Sequence, residues 1–302
     1  MVLVVGGTGR MGGRLVQRLA DRGEQVRVLS RKPGGIVPRG VELVRGDLHD
    51  QDSVARAVEG ARTVVAAAHG FDGKRGVNPQ TIDWEGNRNL IWAAESSGVE
   101  HLILLSVVGV AEDHPMDLFQ MKARAEAALR ASSLAWTIIR ATAFMETWMM
   151  VIGEPLIRTG KTRVFGSGEN PVNFVSAADV ADAVEAAVFD PSLHQSVVEV
   201  GGPEDLNWTD FTRIVQEVAG RSGKVSRVPR PMLRAVSRLM GPVNPTMARQ
   251  VKAALVMDTR DMTLDGTADP KAVRRIGRLR LADVVRRDHA EPAAVAPALG
   301  KV

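Results

Sequence analysis

The chain opens on an apolar run, Val2-Leu3-Val4-Val5, that passes directly into Gly6-Gly7-Thr8-Gly9-Arg10-Met11-Gly12-Gly13. Met11, Leu15, Val16 and Leu19 then recur at helical spacing. A strand, a glycine turn and a helix account for all three pieces. A backbone approaches a phosphate closely only where no Cβ intervenes, and glycine alone turns freely through positive φ. The free N–H groups and positive dipole end of the helix then face the anion. Gly6, Thr8, Gly9, Arg10, Met11 and Gly12 are therefore the candidate ligands of a dinucleotide pyrophosphate.

The rest of the first half alternates in the same way. Short runs rich in Val, Ile and Leu predict strands at 2–5, 25–29, 41–45, 63–67, 101–105 and 135–140. Helical periodicity predicts helices at 10–21, 52–59, 82–97 and 117–131, with Gly23, Gly60 and Gly98 where helices stop. This alternation predicts an α/β fold, a doubly wound and mostly parallel Rossmann sheet with right-handed crossovers. We expect a core over 1–160, with a strand and helix returning to it from about 172–200.

A smaller C-terminal α+β lobe, interleaved with the core, is expected over 161–290. Its pieces read as a Met- and Trp-rich helix at 144–158, short strands at 162–165 and 172–175, and a helix at 177–189. A strand at 196–200 and a helix at 207–219 capped by Asn207 follow, then an extended stretch at 225–228. Helices near 231–240 and 246–256 come next, and Asp269-Pro270 opens a last helical segment. The Ala/Pro-rich residues 291–302 read as a flexible tail.

Composition narrows the function. Cysteine is absent from the 302 residues, which excludes disulfides and thiolate chemistry. No apolar run is long enough to span a bilayer, and the chain begins on its first core strand, so a cytoplasmic location is expected. The net charge of +4 owes much to Arg274, Arg275, Arg278, Arg280, Arg286 and Arg287. Interleaved with Asp283 and Asp288, these read as a solvated helix face and not as a nucleic-acid site. No metal site is visible. The expected partner is a small-molecule substrate, with neither nucleic acid nor membrane, for a monomer or homodimer.

Three further features extend the glycine motif. Ser30-Arg31-Lys32 closes the second strand, where an acidic residue would select NAD by binding its ribose 2′-hydroxyl. Two cations there favour NADP(H) over NAD(H), because a guanidinium grips a 2′-phosphate bidentately. Asp47 and Leu48 follow the third strand and could hold adenine, although Asp47 could equally cap the next turn. Ala67, Ala68 and His69 follow the fourth strand, where small side chains leave room for a ribose and a flat ring. His69 is also a candidate for proton transfer.

These motifs, with Ser106, Lys122, Glu126, Thr137-Ile138-Ile139-Arg140, Phe144-Met145-Glu146 and Phe174-Val175-Ser176-Ala177-Ala178-Asp179-Val180-Ala181, carry a family resemblance. Over about 1–200 the chain resembles the NmrA-like, isoflavone-reductase-like atypical short-chain dehydrogenases/reductases. It departs from them at Ala141, where the family usually has proline. Ordinary members of the superfamily use a Tyr-x-x-x-Lys pair with an upstream serine. The matching stretch here is Leu118-Phe119-Gln120-Met121-Lys122, and the chain contains no tyrosine at all. That mechanism is therefore excluded.

The resemblance implies a catalytic role for Lys122, as ribose ligand and, if partly desolvated, as proton donor or base. The bland alternative is a surface ion pair between Lys122 and Glu126. Ser106 could orient a carbonyl or could simply cap a turn. His114, with Asp113, could relay protons. Thr142, Phe144, Met145 and Trp148 could form an apolar substrate wall, or could be core. The leading expectation is an NADPH-dependent oxidoreductase acting on a small apolar or aromatic carbonyl, enone or quinone. Two alternatives stay open: an NADP(H)-sensing regulator or assembly factor without turnover, and a cofactor-assisted epimerase, dehydratase or cyclase.

Overall fold

The computed structural model describes residues 1–31, 37–73, 76–267 and 269–290. Lys32 and the tail 291–302 lie outside the described residues. The first half builds β1 (Val2–Val5), α1 (Arg10–Asp21), β2 (Val26–Ser30), β3 (Glu42–Arg45), α2 (Gln51–Val58) and β4 (Thr63–Ala66). It continues with a π-helical segment, Gln80–Gly86, that runs into α3 (Asn87–Ser96), then β5 (His101–Val107), α4 (Asp117–Ala131) and β6 (Ala135–Ala141). β1 and β4 are buried along their whole length, as the unbroken apolar runs predict for strands covered on both faces.

The region after β6 is more broken than its sequence suggests. The single helix expected at 144–158 is instead β7 (Ala143–Phe144), α5 (Met145–Trp148), a π-helical turn at Met149–Gly153 and α6 (Glu154–Thr159). Next come β8 (Lys161–Phe165), β9 (Val172–Val175), α7 (Ala177–Phe189), β10 (Ser196–Gly201) and β11 (Asp205–Leu206). The chain ends with α8 (Trp208–Ala219), β12 (Lys224–Val228), α9 (Arg230–Leu239), α10 (Pro245–Met257), α11 (Leu264–Thr267), β13 (Val273–Ile276) and α12 (Leu281–Ala290).

One eight-stranded sheet forms among the described residues, in the order β13-β10-β6-β5-β4-β1-β2-β3, with every pairing parallel. The chain winds outward from β1 in both directions, so strand order reverses between β1 and β4. In such sheets ligands bind at that crevice, beyond the carboxyl ends of the strands. α1 and α7 cover one face with Leu15, Val16, Leu19, Val180 and Val184. α2, α3 and α4 cover the other with Val54, Leu90, Ala125 and Leu129. Truncating any of these leucines to alanine would cost about 2–5 kcal/mol.

β13 corrects the expectation of a helix opening at Asp269-Pro270. Its Val273 and Ile276 remain largely exposed at the sheet edge. The strand is recruited by tertiary contacts instead. Gly277 N–H donates to Gly201 O (2.7 Å), and Asp269 N–H donates to both oxygens of buried Glu199 (3.1 Å each). Glu199 also accepts from Arg140 on the adjacent strand (3.3 Å), and Arg140 grips Glu126 bidentately at 3.0 and 2.8 Å. The arginines at this end meet carboxylates: Arg274 pairs with Asp265, Arg278 with Asp182, Arg280 with Glu204 and Arg286 with Asp283.

The lobe has its own core, in which Phe174, Trp208 and Phe211 stack at tilted angles with centroids 5.3–5.8 Å apart. No helix among the described residues is long and apolar enough to cross a membrane.

Candidate functional site

The glycine turn and the start of α1 stand at the crevice between β1 and β4. Gly6 has φ +89°, and a Cβ there would lie 2.7 Å from the backbone N of Ala68, so only glycine lets the turn pass the β4 loop. A Cβ on Gly12 would come within 2.2 Å of Gly6 O, which makes Gly12 the residue that lets helix and strand touch. Gly9 differs. It is the N-cap of α1, with ordinary extended backbone, and a Cβ there would meet only Gly6 O, at 3.2 Å.

What sets α1 apart is an uncapped start placed at the sheet's reversal point; α9 also lacks a cap and a first-turn acid, but it begins in the lobe. α2, α7, α8 and α10 are capped by Asp50, Ser176, Asn207 and Asn244. The N-terminus of α7 also receives the buried Glu146 carboxylate, which accepts from Ala177 N at 2.9 Å. α1 has no side-chain cap and no acid in its first turn. Thr8, Gly9 and Arg10 are exposed there, while Met11 and Gly12 are buried behind them. Among the described residues no side-chain cap or first-turn acid meets the first-turn N–H groups of α1, and such a helix start suits an anion. Arg10 arches over this opening to the Met150 thioether, 3.5 Å away in the lobe.

The adenosine corner lies at the ends of β2 and β3. Ser30 closes β2 and Arg31 follows it, exposed. Burial pushes the Asp47 carboxyl up, but the backbone N–H and ring of His49 and the nearby Arg31 guanidinium outweigh it and hold the group below its ordinary range. His49 N–H donates to Asp47 Oδ1 at 3.0 Å, so Asp47 closes a local turn as well as facing Arg31. Leu48 is buried, and its carbonyl accepts from Asn89 (2.9 Å). Ala67 and Ala68 are half-buried against Gly6, and His69 is exposed beside them.

Lys122 is buried on α4 and does not pair with Glu126. Its Nζ donates to Leu105 O at 2.7 Å and lies 3.0 Å from Asp83 Oδ1. Asp83 is fully buried in the π-helical segment, and its other oxygen accepts from Gly70 N (2.8 Å). One carboxylate therefore ties the α4 lysine to the loop after β4. Ser106 is also buried, and its hydroxyl donates to Glu126 Oε1 at 2.6 Å, within the Arg140 network. His114 is buried and stacks on Phe119 with centroids 4.0 Å apart. Its Nδ1 accepts from Met116 N (3.2 Å), and burial, then Arg260 and Lys252, push it below the ordinary histidine range.

Of the expected substrate wall, Thr142 donates to Asn173 Oδ1 (2.9 Å) and Phe144 and Trp148 are half-buried. Met145 is fully buried in the lobe core and offers no surface to a ligand. A roof over the mouth comes from α10, which the sequence did not single out. Arg249 donates to Phe71 O (2.6 Å) and pairs with Asp117 (3.2 Å), and Thr246 donates to Gly73 O (2.6 Å). A cleft of about 510 Å³ lies elsewhere, lined by Glu204, Ile214, Glu217 and Arg280. It shares no residue with this cradle.

The profile of a family described as NAD(P)H-binding matches residues 6–191. The chain belongs to this NAD(P)H-binding family, among the NmrA-like Rossmann proteins that its motifs resemble. It is 32% identical over 224 residues to the (4-alkanoyl-5-oxo-2,5-dihydrofuran-3-yl)methyl phosphate reductase of Streptomyces griseus, covering 73% of this chain and 74% of that protein. It is 28% identical over 239 residues to the photosystem II assembly factor Ycf39 of Synechocystis, covering 77% of this chain and 72% of that one. Among solved structures, an NADPH-dependent quinone oxidoreductase of Escherichia coli complexed with NADPH matches with TM-score 0.71 at 17% identity, over 95% and 99% of the two chains. That likeness speaks to the fold.

The residues present fit a dinucleotide. Gly6 and Gly12 pack the turn tightly enough to hold its N–H groups in place, and Gly9 leaves the outer side clear. Sequence reasoning missed Asp83, Asn89 and Arg249. Asp83 carries no local signal, because its partner Lys122 lies on another helix.

Proposed function

We propose that the protein is an NADPH-dependent reductase of a small apolar or aromatic carbonyl, enone or quinone, working without a catalytic tyrosine. The observation that carries this reading is the uncapped, acid-free start of α1 at the sheet's reversal point, beside a buried lysine–aspartate pair. When bound, reduced nicotinamide supplies a hydride. The Gly6–Gly12 turn would hold the diphosphate, and Arg31, with Lys32, would select the 2′-phosphate. Asp47 and Leu48 would receive adenine, and Ala67 and Ala68 leave space for the ribose.

Lys122 donates one N–H to Leu105 O and holds an ion pair with Asp83, which leaves N–H capacity for a ribose or substrate oxygen. In this reading Lys122 orients, and Asp83 fixes where it points. Exposed His69 has no protein partner among the described residues and is placed to exchange a proton with solvent. Ser106, held by Glu126, supports the sheet behind the site. Thr142, Phe144 and Trp148 remain the candidate substrate wall.

The test is NADPH oxidation, followed by absorbance, against a panel of quinones, enones and aldehydes. Turnover with at least one acceptor, faster with NADPH than with NADH, is expected. Tight NADPH binding with no oxidation by any acceptor would overturn the reductase and favour a second reading, a cofactor-sensing assembly factor. The commitment of both Lys122 and Ser106 to protein partners, together with the Ycf39 likeness, is what favours that alternative. Calorimetry with NADP and NADPH then decides, because equal affinities for the two forms cannot drive a switch.

A further inference from the structure

The hairpin formed by α9 and α10 carries a surface that the cofactor site does not use. Between Glu217 and Asp258 the sequence has no acidic residue, yet it is rich in Arg and Lys. Arg227, Arg230 and Arg249 pair with Glu169, Asp258 and Asp117. Arg234, Arg238 and Lys252 have no carboxylate partner among the described residues. Leu233 faces inward on α9 and is 2% exposed, with Val236 and Met240 half-buried on the same side. The outward side and the hairpin tip hold Met232 (56% exposed), Leu239 (74%), Val243 (78%) and Met247 (42%).

Basic and apolar side chains thus share the outer half of one amphipathic hairpin. Its root is fixed, because Asp258 accepts from Ser167 N (2.8 Å) and binds Arg230. The apolar residues are prominent where a nucleic-acid backbone would want only cations. The tip also presents only four exposed apolar side chains, against the roughly 20–30 residues a side of a stable protein interface. An anionic bilayer surface matches both parts: cations at the headgroups and aliphatic side chains at the acyl boundary.

We propose that the α9–α10 hairpin docks the protein on anionic lipid membranes, with Leu239, Val243 and Met247 inserted and Arg234, Arg238 and Lys252 on the headgroups. The expectation of no membrane partner rested on the lack of a spanning segment, which leaves peripheral docking open. α10 also roofs the mouth of the cofactor site, and a cleft of about 170 Å³ lies between it and Met116 and Asp117 of the α4 entrance. Docking there sets that mouth beside the lipid. The inference stands whether or not the protein turns over substrate.

The experiment is flotation of the full chain with phosphatidylcholine vesicles and with vesicles also containing phosphatidylglycerol. Binding only to the anionic vesicles, weakened by salt, is expected. Arg234→Gln with Arg238→Gln should lower partitioning about thirtyfold. Leu239→Ser with Val243→Ser should also lower it, and all four exposed positions should leave melting and NADPH binding unchanged. Failure to float with anionic vesicles overturns the proposal. So does binding that heparin abolishes but the Leu239→Ser, Val243→Ser variant leaves intact, which would mean a polyanion partner.

Discussion

The Lys122 ammonium lies 3.0 Å from Asp83 Oδ1, and both side chains are at most 5% exposed. Removing one member of such a pair strands the other charge out of water, whereas removing both does not. We expect Lys122→Met to cost about 3–5 kcal/mol in urea denaturation. The double variant Lys122→Met, Asp83→Asn should recover a large part of that loss. Additive losses would show that the two groups are not coupled.

Gly9 and Gly12 are two residues of one motif with opposite expected responses. Gly12→Ala drives a methyl into Gly6 O, and overpacking of this kind costs about 1–3 kcal/mol. Gly9→Asp has an N-cap backbone of φ −80°, ψ 174° that suits a capping aspartate, and its Cβ meets only Gly6 O at 3.2 Å, so it should fold, the few tenths of a kcal/mol gained by capping α1 offsetting that tight contact. Its carboxylate would occupy the place we assign to the diphosphate. NADPH affinity, read by calorimetry, should fall about a hundredfold or more while the melting temperature stays close to that of the wild type. Retained affinity would place the cofactor elsewhere.

That glycine turn was the most legible part of the sequence, because everything that defines it is local. A four-residue apolar run, the glycines and a helical repeat suffice to place β1 and α1. The parallel sheet followed from the same alternation. What stayed hidden depends on distant partners. β13 is a strand because Glu199 and Gly201 recruit it, and its Val-Arg-Arg-Ile shows no buried face. The broken stretch after Ala143 looks continuous, since the residues of π-turns are ordinary helix formers. Lys122 was found through its motif, but the surface pairing with Glu126 was the wrong alternative. Glu126 is taken by Arg140 and Ser106, and the true partner comes from the far side of β5 in the chain order.

Arg31 provides the next prediction. It stands exposed at the end of β2 and its charge reaches Asp47. A guanidinium that meets the 2′-phosphate should matter to one cofactor only. Arg31→Ala is expected to weaken NADPH about tenfold, a charge-assisted bond discounted for exposure, and to leave NADH within twofold or so. Equal losses for both would remove Arg31 from cofactor choice.

His101 makes the fold less stable in acid. Its ring is 3% exposed, lies 4.2 Å from that of His194, and its Nε2 is 2.9 Å from Thr137 Oγ1. The Thr137 hydroxyl donates to Leu193 O, so it can only accept from the ring, and His101 is neutral with its proton on Nε2. Burial, with the charges of His194 and Arg62, pushes its pKa down from 6.5 to about 4. The folded-state value lies below the unfolded one, so the contribution to stability is fully present above about pH 6.5 and is lost as pH falls toward 4. The unfolded chain takes up a proton in that window that the native ring refuses. The full loss is about 3 kcal/mol, roughly 2 kcal/mol of it reached by about pH 5. Urea midpoints for wild type and His101→Gln, compared at about pH 7.5 and about pH 5, should converge as pH falls. Parallel curves would mean that His101 titrates normally in the folded protein.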